Sequence, residues 1–148
     1  MFDVFGMSRV LIRSITLLCE ADHGNDPQNL AEWTVNKDPA SIREWLARGA
    51  KLWVALHDGQ FAAVGGIRAD EITLLYTDPD HIGCGIGQAL LHRLEHEIAA
   101  EGHSEARLEA TRTAQDFYKR NRWSATGQCR ARGEVTCFAM HKSMQPSD

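Results

Sequence analysis

Apolar and polar residues change their period repeatedly along this chain, and the changes mark out its elements. The apolar run "RVLIRSI" (9–15) reads as a first strand, and a helical stretch around Thr16 to Asp22 follows. Gly24, Asn25, Asp26 and Pro27 then cluster in a loop, after which a further helix is expected. "DPASIREWLARGAK" predicts a helix with Pro39 in its first turn, Ile42, Trp45 and Leu46 on one face, and Gly49 as its stop. Trp33 and Trp45 are expected in the core. "KLWVALHDGQFAAVGGIRA" is two apolar runs around Asp58 and Gly59, the pattern of an antiparallel hairpin. "DEITLLYTDP" adds a third strand, stopped by Pro79.

Beyond Pro79, Ile86, Leu90, Leu91, Leu94 and Ile98 share one arc of a helix, with Gln88, His92 and His96 across from it. A strand "ARLEAT", a helix "TAQDFYKRN" and two closing strands, "WSATGQCRA" and "EVTCFAMHK", complete the order. The whole predicts one domain over residues 1–148, with 1–6 a loose extension. Its class is α/β (α+β), a mixed sheet with a single strand-helix-strand unit at its centre and helices flanking it.

Composition narrows the function. With 148 residues, 43% hydrophobic, 24% charged and a net charge of −4, the chain is an ordinary globular domain. The densest basic cluster, Lys119, Arg120 and Arg122, is too short for a nucleic-acid interface. No segment approaches the roughly 18 apolar residues of a membrane span, and Asp3, Arg9 and Arg13 interrupt any signal-like core. Cys19, Cys84, Cys129 and Cys137 form no CxxC pair, consistent with reduced thiols and a cytoplasmic location.

Gly83, Gly85 and Gly87 stand directly ahead of the central helix. The first N–H groups of a helix lack intrahelical partners, so a loop without side chains lets an anion reach them. The same glycines also suit a tight turn, two for positive φ and one for close packing. Walker A is excluded for want of GK[ST], and GxGxxG fails at Gln88 and Leu90. "HRLEH" (92–96) matches the HxxEH zinc signature, but both histidines fall on the expected solvent face and no third ligand follows. No metal site is assigned.

"LLYTDPDHIGCGIGQALLHRLEHEIAAEG" (74–102) followed by "LEATRTAQDFYKRNRWSATG" (108–127) resembles the GNAT superfamily of acetyl-CoA-dependent N-acetyltransferases. The match is to its valine-x-proline, Q/R-x-x-G-x-G/A and FY-aromatic patterns. The resemblance covers about residues 50–130 well, and the first third only by element order. It implies a mainly antiparallel GNAT-like sheet in which the strands before and after the central helix splay apart. It also implies that the pyrophosphate of coenzyme A lies on the backbone amides of Ile82, Gly83, Cys84, Gly85, Ile86, Gly87 and Gln88. The pantetheine arm would pair with Leu75, Tyr76 and Thr77, and a backbone N–H near Tyr76 or Thr77 would hold the acetyl oxygen. Phe117 and Ala114 would wall the arm, with Thr111 at a position where many members place an asparagine.

Tyr118 falls at the position whose hydroxyl protonates the departing thiolate in many members; a phenol of pKa about 10 suits a thiol of roughly 8–9. Glu71, fourteen residues before Gly85, matches the base of the histone-modifying branch, with Asp70 expected on the opposite face. The implied reaction is direct attack by a primary amine of a small molecule or peptide on the thioester, in a ternary complex without metal. The region from His23 to Lys51 is expected to wall the acceptor site, and a homodimer is open. The alternative is a non-catalytic acyl-CoA-binding or sensing domain. Three departures stand out: Ile82 replaces Gln or Arg, Cys84 replaces a common basic residue, and Arg122 occupies the usual glycine of FYxxxG-aromatic, which puts that turn in question.

Overall fold

The computed structural model describes residues 4–18, 26–132 and 135–144. Expectations for residues 1–3 and 19–25, and for the side chains of Trp33 and Cys129, lie outside the described residues. The first element is not a strand but helix α1, Val4–Leu18. Val4, Met7, Leu11 and Ile15 recur at three- and four-residue steps and are all buried, so the run over 9–15 is one part of a longer helical stripe. Val4 to Gly6, expected as part of a loose extension, belong to that helix.

Two short helices follow, α2 (Pro27–Thr34) and α3 (Pro39–Ala47). Pro39 opens α3, and Gly49 leaves it at φ +90. Strands β1 (Lys51–His57) and β2 (Gln60–Arg68) form the expected hairpin, with both Asp58 and Gly59 at positive φ as a type I′ turn requires. β3 (Glu71–Thr77) pairs antiparallel with β2, and a single 3₁₀ turn, Pro79–His81, leads to helix α4 (Ile86–Ala100). β4 (Glu105–Thr111), helix α5 (Arg112–Arg120), β5 (Ser124–Arg132) and β6 (Val135–Ser143) complete the chain. The six strands form one sheet in the order β1-β2-β3-β4-β6-β5. Only β3 and β4, the pair joined by α4, run parallel.

The sheet is covered on both faces. Against one, α4 buries Leu91, Leu94 and Ile98 on Ile67, Ile72, Ala106 and Leu108, each such side chain contributing about 1.5–3 kcal/mol. Against the other, α1 buries Met7, Val10 and Leu11 with Ile42, Leu52 and Val64. Trp45 is only partly buried at the edge of this second cluster. Gly65 is what lets α4 approach: a Cβ there would stand 2.9 Å from Leu94 Cδ1 and 3.2 Å from Leu90 Cδ2.

Within β3 the register slips by one between Gly66↔Leu74 and Ile67↔Ile72, leaving Thr73 as the extra residue of a β-bulge. The slip reverses the alternation. Ile72 and Leu75 face α4, whereas Leu74 and Tyr76 face α1.

The turn in question after α5 is kept. Arg122 takes the left-handed conformation, φ +72, that a glycine would hold without cost. Arg122→Gly should therefore raise stability by about 0.5–1 kcal/mol, the relieved strain exceeding the added freedom of the unfolded chain. Urea unfolding of the two proteins side by side checks it.

Candidate active site

β3 and β4 pair at one position only, Glu71↔Arg107, where the Arg107 N–H also donates to the Asp70 carbonyl at 2.9 Å. Beyond that point the strands splay, and a cleft of about 260 Å³ opens between them. Leu75, Tyr76 and Thr77 form one wall, and Leu108, Glu109 and Thr111 the other. Ile82, Ala114, Tyr118 and, from α1, Ser14 close its sides. Beyond Glu71 the β3 edge that turns away from β2 makes no ladder with β4, so an extended chain entering the cleft would run alongside it.

At the end of that wall the chain turns into α4. Gly83 (φ +80) and Gly85 (φ +79) are both left-handed, and a Cβ on either would meet nothing within 4 Å, so open space lies over them. Gly87 is different. Its Cβ would stand 3.1 Å from Thr77 Oγ1 and 3.8 Å from Phe117 Cζ, so it serves close packing. Two turns and one contact are thus the local reason for the glycines, and the same geometry leaves the helix start uncovered. Gly85 provides no side-chain cap and the first turn carries no acid. These residues fit an anionic phosphate group held on the first-turn amides.

Arg13 of α1 braces the loop. Its Nε donates to Asp78 Oδ2 at 3.1 Å and its Nη2 to Asp80 Oδ2 at 3.2 Å, while Asp78 Oδ1 accepts the Asp80 N–H at 3.0 Å. Burial pushes the Asp78 carboxyl up, but the Asp80 N–H and the Arg13 guanidinium outweigh it and the net shift is downward. Cys84 is exposed, in no disulfide, and its Sγ donates to the His81 carbonyl.

Tyr118 is 7% exposed, with its ring edge-on to both Phe117 and Trp123. Burial pushes its phenol well above the usual range, and the nearby Tyr76 adds to the shift. The group is a neutral donor at any physiological pH. Thr111 caps α5 by accepting the Ala114 N–H at 3.3 Å. Phe117 packs under Gly87 and is not part of the cleft wall, because α5 turns that side of its helix toward the α4 start.

Glu71 lies at the closed end of the cleft, with Oε2 3.8 Å from Arg107 Nη1. Asp70 converges on the same guanidinium, Oδ1 to Nε at 3.0 Å, and not on the opposite face. It belongs to the turn that Ala69 makes at φ +55, where strand alternation does not apply. Asp70 first, then Glu71, raises the pKa of Arg107. The carboxylate lining the cleft is Glu109 on β4, half-buried between Leu108 and Ala110, which join the core under α4. Its signal was a lone acid inside the apolar run "ARLEAT". The described residues of 26–51 do not reach the cleft; α1 supplies that side through Ser14, because the helices of 26–51 pack behind α1.

On α4, His92 and His96 are exposed but Glu95 is buried, with its two carboxylate oxygens taken by the Trp123 N–H and the Lys142 ammonium. Among the described residues no group of three or more His, Cys, Asp or Glu is placed to hold a metal ion. No described helix is long and apolar enough to cross a membrane.

Residues 19–144 match the family model described as acetyltransferase (GNAT) domain. No curated protein sequence matches the chain. Among solved structures it resembles a GCN5-related N-acetyltransferase from Rhodopseudomonas palustris, with a TM-score of 0.85, 22% identity, and 95% of this chain and 89% of that one covered. A PaiA N-acetyltransferase from Thermoplasma acidophilum in complex with coenzyme A follows, at TM-score 0.76, 19% identity and 95% and 92% coverage. The ribosomal-protein-S18-alanine N-acetyltransferase from Escherichia coli aligns over 75% of this chain and 79% of its own, at TM-score 0.61 and 19% identity.

Arg13→Met tests the brace. It should lower stability at pH 7 by about 1–2 kcal/mol, discounted for the partial exposure of Arg13. Asp78 has its folded pKa depressed, so its contribution is present above the ordinary carboxylate pKa and disappears as pH falls through the folded value. The deficit of the variant should accordingly shrink in unfolding curves taken from neutral pH down through the carboxylate range.

Proposed function

The chain belongs to the GNAT acetyltransferase family, and from that premise we propose that it is an N-acetyltransferase moving the acetyl group of acetyl-CoA to a primary amine of a small molecule or peptide. The observation that carries this reading is the splayed pair β3/β4, with a bare helix N-terminus at one end of the cleft and a buried, protonated Tyr118 in its wall. Acetyl-CoA supplies the activated thioester; everything else is positioning and proton traffic by this chain.

The amides from Ile82 to Gln88 hold the pyrophosphate, and the β3 edge over Leu75, Tyr76 and Thr77, which makes no ladder with β4, holds the pantetheine amides. A backbone N–H at Tyr76 or Thr77 stabilises negative charge on the acetyl oxygen. Ala114 and Thr111 flank the arm, and Phe117 supports it from beneath Gly87. Tyr118 gives its proton to the leaving sulfur, which its raised pKa suits by keeping the phenol protonated until a thiolate develops beside it. An amine arrives as ammonium and must lose a proton before attack. Glu109 lines the cleft whereas Glu71 faces Arg107 at its closed end, so Glu109 is assigned as the acceptor for it.

Acetyl-CoA titrated calorimetrically, beside thiol release with a panel of alkyl diamines and alanine-terminated peptides, tests the reading. Tyr118→Phe should bind acetyl-CoA as the parent does and lose roughly 10²-fold in kcat. Glu109→Gln should lose a similar factor, with the acidic limb of its pH profile removed; if Glu71→Gln does so instead, the base is Glu71. Binding without turnover on any amine would favour a sensing domain, and no binding would reduce the glycines to a turn.

A further inference from the structure

Helix α5, which carries Tyr118, ends in a Schellman motif. The Trp123 N–H returns to the Tyr118 carbonyl at 3.0 Å, and the Arg122 N–H to the Lys119 carbonyl at 3.1 Å. The Trp123 ring then folds back edge-on to the Tyr118 ring, centroids 5.9 Å apart at 65°. Its indole Nε1 donates to Glu95 Oε2 of α4 at 3.1 Å, a buried bond. Lys142 of β6 donates to the other oxygen, Glu95 Oε1, at 2.7 Å, and also to the Asn121 carbonyl at 3.0 Å. One carboxylate thus ties α4 and β6 to the two residues that hold the end of the Tyr118 helix.

A charge in this place needs a reason. A buried carboxylate beside a part-buried ammonium costs desolvation that apolar groups of the same size would not, and such a pair stabilises little overall. What it supplies is direction: the indole N–H has one acceptor, and the carboxylate has no freedom to turn away because Lys142 holds its second oxygen. The indole plane is thereby fixed, and with it the surface against which the Tyr118 ring rests. Neither Glu95 nor Lys142 lines the cleft, so neither is placed to touch the reacting atoms.

We propose that Glu95, held by Lys142, is a positioning residue that sets the orientation of the Tyr118 phenol through the Trp123 indole. The proposal rests on the acid role given to Tyr118 above. It assigns the acid of the HRLEH pattern a part in acyl transfer, and explains why Glu95 faces inward between two exposed histidines.

Two substitutions separate orientation from bulk. Trp123→Phe keeps a ring over Tyr118 and removes the N–H; Glu95→Gln keeps the volume, does not touch Tyr118, and sets an amide against the Lys142 ammonium. Each should lower kcat about five- to tenfold on whichever amine of the panel turns over, with KM for acetyl-CoA unchanged within about twofold. In a Tyr118→Phe background neither should lower kcat further. The chain has two tyrosines, so fluorotyrosine labelling yields two ¹⁹F resonances, and Glu95→Gln should shift or broaden that of Tyr118 and leave that of Tyr76 in place. Effects that multiply fully with Tyr118→Phe, or a Tyr118 resonance unmoved by Glu95→Gln, would overturn the positioning role. An undiminished kcat in Tyr118→Phe alone would overturn the acid role, and the resonance would then decide whether Glu95 orients this ring at all. Should Glu95→Gln fail to fold, Trp123→Phe and its cycle with Tyr118→Phe carry the test.

Discussion

Everything that makes this chain more than a packed sheet depends on β3 and β4 meeting at a single position. Parallel neighbours joined by a crossover helix ordinarily pair along their length; here pairing stops at Glu71 and Arg107. The consequence is a strand paired with β2 along one edge and not laddered with β4 beyond Glu71 on the other. Such an edge suits an extended, amide-bearing ligand. An amide-bearing arm laid along β3 does what a seventh strand would do. The cleft is therefore a consequence of how the sheet is built, and the uncovered start of α4 stands at its end because the crossover helix begins shortly after β3.

Two devices fix where the strands meet and how β3 is turned. At the closed end, Arg107 gathers Asp70 and Glu71, tying the turn before β3 to β4. These ions are partly exposed, so the clasp contributes register more than stability. Within β3, the bulge at Thr73 reverses the alternation, so Tyr76 turns toward α1 and Leu75 toward α4. A one-residue slip changes which side chains enter the core and which backbone groups face the cleft. Packing does the rest: α4 lies close on β2 because Gly65 carries no Cβ, and α1 seals the opposite face while sending Arg13 out to the loop of Asp78.

The placement of charge separates structural from chemical roles. Asp78 is buried and held by Arg13 and its own turn, which fixes the entry to the glycine loop. Glu95 is buried and doubly bonded outside the cleft, whereas Glu109 stands in its wall. Tyr118 lines the same cleft as a buried phenol whose burial raises its pKa and keeps it neutral. Arg122 shows how tolerant the frame is: a turn that favours glycine is kept by a residue paying for positive φ, because the Schellman bonds and the Tyr118–Trp123 contact hold it.

Local patterns were legible in the sequence because they are set by neighbours in the chain. Asp58-Gly59 specified its hairpin, Pro39 and Gly49 bounded their helix, the arc of Leu91, Leu94 and Ile98 identified the crossover helix, and the spaced glycines with the FY motif identified the family. The run over 9–15 misled because a short apolar segment carries no period of its own; only the longer stripe from Val4 to Ile15, packed on β2 and β3, makes it a helix. Asp70 and Glu71 were assigned opposite faces by alternation, which the turn at Ala69 suspends. Glu109, Ser14 and the Glu95–Lys142–Trp123 network needed the fold, since each joins residues far apart in the chain. The sequence by itself thus determined most of the elements, the order from β1 onward and the glycine-lined start of α4, which depend on contacts within a few residues. Where the strands part, which carboxylate reaches the cleft and what orients Tyr118 were decided only when sheet and helices packed, because those distances are set between elements and not along the chain.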